Sequence, residues 1–220
     1  MITETWGREI NWNTPAGQIL KKLTIALPPE CHFDITVFGS APLQITIEPE
    51  LLSGDVDIFS DQEDLERWVK AAGLGDQQNR PYIQVGSSLN FRTSPLWGTR
   101  TQSAELRNCT FHFPHPIDIL IAKLNRLDEK DLEAFRVVRQ KTGHPTETEL
   151  IGELQLAVDL FRPGFDEENA GDIGNNARRL WPLIYGREID VRGEVIAPAL
   201  AKRKAGYGEP TTDYKRKLSP

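Results

Sequence analysis

Two aspartates stand one residue apart inside an apolar run, Gly54-Asp55-Val56-Asp57-Ile58-Phe59, and that placement constrains the chain more than any other feature. A buried strand prefers no charge, because an unpaired ion loses its hydration there. Side chains two residues apart share one face of a strand, so Asp55 and Asp57 project together while Val56 and Ile58 point into apolar packing. Two neighbouring carboxylates repel and raise each other's pKa unless a cation stands between them. Oxygen-only ligands of this kind fit a divalent ion such as Mg²⁺ or Mn²⁺. About fifteen residues upstream, the run Phe33-Asp-Ile-Thr-Val-Phe38 ends in Gly39-Ser40. Gly39 lets backbone approach a phosphate closely, and Ser40 offers a hydroxyl and an N–H at a helix start. A phosphate cradle beside a carboxylate-held metal is the minimum apparatus for phosphoryl or nucleotidyl transfer. Each half also has an ordinary alternative: a solvent face on an edge strand for the aspartates, a turn for Gly-Ser.

With 220 residues, 39% of them hydrophobic and 26% charged, the chain has the composition of an ordinary globular protein. The net charge of −6 makes the molecule as a whole no electrostatic trap for nucleic acid. The last twenty residues are locally basic, with Lys202, Arg203, Lys204, Lys215, Arg216 and Lys217 against Glu209 and Asp213. The opening residues lack the basic-then-apolar layout of a signal peptide, and no apolar run reaches the ~18 residues of a membrane span. Cytoplasm is the expected location, with no membrane partner. Cys31-His32 and Cys109…His112 do not have the spacing of a zinc ligand pair, and adjacent residues 31 and 32 would point to opposite faces of a strand.

Periodicity predicts a helix over 15–26, with Ile19, Leu20, Leu23 and Leu27 near one face and Pro28-Pro29 as its stop. Strands are expected in 33–39, 54–59 and 80–87, and a fourth over 104–113 with Leu106, Cys109, Phe111 and Phe113 alternating. A helix in 60–75 is expected to be capped by Ser60 or Asp61. From Pro116 onward the pattern is helical, interrupted by a glycine-rich acidic loop at 162–176. The segment 185–208 reads as a final helix with basic residues near its end. The fold class is α+β: a small mixed β-sheet core over 1–114, a helical segment over 115–160 packed on it, and a C-terminal helical extension over 161–220.

The stretch Phe38-Gly-Ser…Asp55-Val-Asp57-Ile-Phe59 resembles the signature of the polymerase-beta-like nucleotidyltransferase fold, with Gly-Ser after one strand and Asp-x-Asp on the next. A second likeness lies in residues 115–135, HPIDILIAKLNRLDEKDLEAF. It is similar to the helical segment after the core in bacterial nucleotidyltransferase-like proteins, among them uncharacterised members and the toxins of abortive-infection type toxin–antitoxin pairs. The matching positions are Asp118, Lys123, Arg126, Lys130 and Asp131. The resemblance covers roughly residues 30–140. It implies transfer of a nucleoside monophosphate from an NTP to an RNA, protein or small-molecule hydroxyl. Asp55, Asp57 and Lys123 would be catalytic, with Gly39, Ser40, Arg126 and Lys130 on the nucleotide. A degenerate member would instead be a binding or regulatory module, with an antitoxin-like protein as partner.

Residues 116–124 carry their own physical reading. Ile117, Leu120, Ile121 and Leu124 form an apolar stripe expected to dock on the sheet, and Lys123 and Arg126 are neighbours on its polar flank. The alternative is a helix junction in which Asp128 is an N-cap, Asp131 a first-turn acid, and Arg126 and Lys130 partners of local carboxylates. Active members of the fold add a third carboxylate from a later strand. The candidate here is Glu105, at the start of the 104–113 run, as a further metal ligand beside Asp55 and Asp57. Pro42 suits a first helical turn, but Ile45, Thr46, Ile47 and Pro49 predict a short helix or a loop after Gly-Ser. Arg92, Trp97 and Arg100 belong to a loop that either reads a base and phosphates or connects elements while its Trp covers the core edge.

Overall fold

The computed structural model describes residue 6 and residues 9–51, 53–161 and 172–206. Helix α1 (Pro15–Ala26) starts where the Thr14 hydroxyl accepts from Gly17 N–H at 3.0 Å, with Pro at N1, where its missing N–H costs nothing. It buries Ile19, Leu20 and Leu23. Strand β1 (Phe33–Val37) leads through Gly39-Ser40 into a single helical run, α2 (Ala41–Thr46), every residue of which is buried. This is the short helix that the β-branched residues and Pro49 foretell. Strand β2 (Asp55–Phe59) follows, then α3 (Leu65–Ala71) and β3 (Tyr82–Val85). Helix α3 begins later than expected, with Asp64 rather than Ser60 or Asp61 at its cap position. The Ser60 hydroxyl instead accepts from Gln62 N–H, and the Gln62 side chain donates to the carbonyl of His32.

The expected fourth strand is in fact a hairpin. Strand β4 (Gln102–Leu106) turns through Arg107-Asn108 into β5 (Cys109–Phe113), with Arg107 in the left-handed region at φ 57°. Asn108 fixes the turn by donating to the carbonyls of Pro28 and Cys31. The five strands lie in the order β3-β2-β1-β5-β4, with β1 antiparallel to β2, β2 parallel to β3 and β1 parallel to β5. The inward alternation of Phe33, Ile35, Val37, Val56, Ile58, Cys109, Phe111 and Phe113 meets the apolar faces of α1 and α3 in one core.

Helices α4 (Pro116–Leu124), α5 (Glu129–Thr142), α6 (Glu147–Leu156) and α7 (Ile173–Tyr185) supply a second apolar cluster around Phe135 and Trp181, and α8 (Ala197–Gly206) follows them in the chain. The stripe Ile117, Leu120, Ile121 and Leu124 faces this helical cluster and not the sheet, which corrects the expected docking. Helix α4 meets the strand-bearing part through α2, whose Leu43 belongs to the helical cluster while Ala41 and Ile45 belong to the sheet core. The segments drawn as 115–160 and 161–220 share that one cluster. The expected loop at 162–176 ends at Asp172, whose side chain caps α7, and its residues 162–171 lie outside the described part. Residues 207–220 of the basic tail lie outside it as well. The final helical region is divided: a π-turn over Val191–Ile196 precedes α8. Among the described residues no helix is long and apolar enough to cross a membrane.

Candidate active site

Strand β2 presents Asp55 and Asp57 on one face because Val56 and Ile58, both 0% exposed, anchor the other. The carbonyl of Asp57 accepts from Phe38 N–H at 2.8 Å, which sets the end of β1 beside it. The chain then turns at Gly39 with φ +66°, a conformation that costs an L side chain roughly 1–2 kcal/mol. A Cβ at Gly39 would fall inside contact distance of Asp57 Oδ2, so both the turn and the approach require glycine. Ser40 occupies the cap position of α2 but makes no capping hydrogen bond with its side chain.

The opposite wall comes from the α4–α5 junction. Lys123, in the last turn of α4, is buried and its Nζ lies 2.7 Å from Asp131 Oδ1. Arg126 Nε lies 3.1 Å from Asp131 Oδ2, and a second guanidinium N–H reaches Oδ1 at 3.2 Å. Asp131 is itself fully buried as the third residue of α5, where it and Asp128 form a reciprocal capping box. The junction roles of Asp128, Asp131 and Arg126 are therefore present, and Lys123 and Arg126 line the same cleft as Gly39, Ser40, Asp55 and Asp57. That cleft has a volume of about 430 Å³.

Burial, and next the neighbouring Asp55 carboxylate, push the Asp57 carboxyl up to about 6, against the pull of Lys123 and Arg126. Asp131 is held below the usual carboxylate range although burial opposes this, because Arg126 and Lys123 both bond to it. A half-buried carboxyl that resists ionisation, with a second carboxylate beside it, is a setting in which a cation gains from binding. Among the described residues no three His, Cys, Asp or Glu side chains converge to hold a metal ion. Asp55 and Asp57 therefore offer two oxygen ligands. That donor set suits Mg²⁺, which takes one or two carboxylates and completes its shell with phosphate oxygens and water.

Two expected residues stand elsewhere. Glu105 is exposed on the edge strand β4, opposite Thr110, because the hairpin turn separates it from β5. Lys130 is exposed in the first turn of α5 and does not line the cleft. Of Arg92, Trp97 and Arg100, only Arg92 lines it; Trp97 packs edge-on against Phe91, and Phe91 stacks on Phe38 at 4.6 Å. Arg100 is turned inward to Asp118 and Glu153, at 2.6 and 2.8 Å. Cys31 is exposed and Cys109 buried, while His32 bonds to Thr110 and His112 to Ser103 and Asp34. The sequence reading did not single out Gln84, Asn90 or Asn125, all on the cleft wall. Gln84 alone had a signal, a strand position that can pair with Asp57. No family model matches the chain, and neither a curated protein nor a solved structure matches it.

Proposed function

We propose that this chain is a metal-dependent nucleotidyltransferase that moves a nucleoside monophosphate from an NTP to a hydroxyl of an RNA, a protein or a small molecule. The observation that carries this reading is the convergence of Gly39, Ser40, Asp55, Asp57, Lys123 and Arg126 on one cleft from two separate parts of the chain. A nucleotidyl transfer forms a bond between the acceptor oxygen and the α-phosphorus, the hydroxyl proton passing to solvent, and breaks the bond from the α-phosphorus to the bridging oxygen, releasing pyrophosphate. Its charge accumulates on phosphate oxygens, so catalysis is mostly positioning and neutralisation. A Mg²⁺ or Mn²⁺ ion, held by Asp55 and Asp57, would neutralise part of that charge.

The chain's own groups supply the rest. Gly39 carries no side chain to keep a phosphate away from the backbone, and the Ser40 hydroxyl is available to a phosphate oxygen. Lys123 and Arg126 place positive charge on the opposite wall, with Asp131 fixing the Lys123 head. Arg126 keeps 71% of its side chain exposed while Asp131 and Asp128 anchor its guanidinium, so it presents a held positive charge at the cleft mouth.

A second reading has its own support: with Glu105 on the far edge strand and Asp131 already paired with Lys123 and Arg126, the cleft leaves two carboxylates for metal where a two-metal site needs more. In that case the fold would bind nucleotide or an antitoxin-like protein partner without transfer. Calorimetric titration of the four NTPs with Mg²⁺ or Mn²⁺, on wild type and Asp55→Ala/Asp57→Ala, tests the first step. Metal-dependent binding that vanishes in the double variant is expected; absence of binding with either metal would defeat the transferase reading. Incubation with α-labelled NTP and candidate acceptors then separates transfer from binding alone.

A further inference from the structure

The cleft is chemically divided. Its cations Lys123 and Arg126 come from the α4–α5 side, and Arg92, whose carbonyl accepts from Asn125 at the end of α4, stands beside them. Its carboxylates are Asp55 and Asp57 from β2 and Asp131 from α5, whereas the β3 side presents the uncharged Gln84, Ser87 and Asn90. Gln84 is in register with Asp57 across the parallel β2–β3 pair, so the two side chains share a face and stand one strand spacing, about 4.8 Å, apart. Asn90 is held by a short 3₁₀ turn, Ser88–Asn90, that the Ser87 hydroxyl caps by accepting from Leu89 N–H at 3.2 Å. The next residue, Phe91, stacks on Phe38, immediately before Gly39, and so ties this turn to the phosphate end of the cleft.

Elsewhere around the site the carboxamide N–H groups are committed to the fold. Asn125 donates to the carbonyls of Arg92, Ile121 and Ala122, and Gln44 bridges Ala16 and Leu51. By contrast, neither Gln84 nor Asn90 makes a side-chain hydrogen bond to another described residue. Each offers a donor and an acceptor at one uncharged head, the complement of a nucleobase edge or a ribose hydroxyl. A triphosphate tail belongs by charge on the Lys123–Arg126 side. That leaves the β3 side for the neutral half of the same molecule.

We infer that the β3 wall is a nucleoside subsite in which Gln84 and Asn90 select a nucleoside triphosphate over a bare polyphosphate. The inference rests on the transferase reading above, and the experiment distinguishes the two. Each of the four NTPs and inorganic tripolyphosphate is titrated calorimetrically in Mg²⁺ into wild type, Gln84→Ala/Asn90→Ala and Asp55→Ala/Asp57→Ala. Both carboxamides are exposed, so their removal leaves the thermal midpoint unchanged.

Expected is at least one NTP bound about tenfold or more tightly than tripolyphosphate, equivalent to about 1.4 kcal/mol. That advantage disappears in Gln84→Ala/Asn90→Ala while tripolyphosphate affinity stays constant. Tripolyphosphate binding that depends on Asp55 and Asp57, with no gain for any NTP or with a gain that survives the carboxamide variant, overturns the subsite and leaves the transferase reading standing. Loss of all aspartate-dependent binding overturns both.

Discussion

Gly39 lies so close to the carboxylate of Asp57 that no side chain fits between them. The end of β1 and the middle of β2 are thereby locked into one unit, with the Phe38 N–H bonded to the carbonyl of the same aspartate. Backbone approach and acid placement are one feature here, and they fail together.

Gly39→Ala tests that coupling. The left-handed φ alone costs about 1–2 kcal/mol, and displacement of the Asp57 carboxylate adds to it. The substitution is expected to lower stability by about 2–3 kcal/mol in urea denaturation. In an Asp57→Ala background the collision is gone, and the cost of Gly39→Ala falls towards the φ term alone. Equal costs in the two backgrounds would show that the glycine answers to its turn and not to the acid.

Asp57 is expected to weaken the fold it sits in. Its carboxyl is raised to about 6 by burial and by Asp55, so between about pH 4 and 6 the folded state binds more protons than the unfolded one. A raised carboxyl contributes stability below the unfolded value that is lost as pH rises through the folded value. By pH 8 the ionised group costs up to about 3 kcal/mol, less whatever solvent screening relieves. Asp57→Asn is therefore expected to melt higher than wild type at pH 8 and to match it near pH 4. Millimolar Mg²⁺ should raise the wild-type midpoint at pH 8 and leave the variant unmoved. A variant that melts lower than wild type at pH 8 would refute this account.

These two relationships also show what the sequence carried and what it could not. The face shared by Asp55 and Asp57, the break at Gly39-Ser40 and the short helix behind it all follow from strand periodicity and local backbone chemistry. Periodicity acts over a few residues, so those features were legible. The hairpin at Arg107-Asn108 was not, because a tight turn inside an alternating run leaves the alternation unbroken and only a left-handed Arg marks it. That miss carried Glu105 with it, from a candidate ligand to the outer edge strand. The α4 stripe was recognised as apolar, but periodicity names a buried face without naming what buries it, and the partner is the helical cluster. Lys123 and Arg126 had two local readings. Tertiary placement joins them, since one buried acid both caps α5 and holds the cations of the cleft wall.

Asp131 is accordingly the residue whose loss should reach both structure and site. Asp131→Ala leaves Lys123 buried without its partner and removes half of a capping box, so a loss of about 3–5 kcal/mol is expected in urea denaturation. Asp131→Ala/Lys123→Met removes the stranded charge and should recover about half of that. Because the Asp131 carboxyl is held low in the folded state, its contribution is present above the unfolded value near 3.9 and lost as the pH falls through the folded one. The wild-type advantage over Asp131→Ala should therefore persist from pH 8 to pH 5 and shrink only under stronger acid.

Arg100 decides between recognition and architecture for the loop over 86–101. Its side chain is 10% exposed and bridges Asp118 at 0% and Glu153 at 3%, tying the loop before β4 to α4 and α6. Thr93 adds a bond from the same loop to the Asp118 carbonyl at 2.7 Å. Removing the one cation strands two buried carboxylates, so Arg100→Met is expected to cost about 3–5 kcal/mol. Burial already pushes the Asp118 carboxyl up even with Arg100 pulling it down, and without Arg100 it rises further. A raised carboxyl loses stability as pH increases, so the variant's deficit is largest at pH 8 and smaller at pH 5. Replacing the whole cluster, Arg100→Met with Asp118→Leu and Glu153→Leu, should restore most of the loss, because no charge is then left buried. At a temperature where Arg100→Met remains folded, its affinity for Mg²⁺·NTP should equal that of wild type. A variant of unchanged stability with tenfold weaker nucleotide binding would instead place Arg100 on the phosphates.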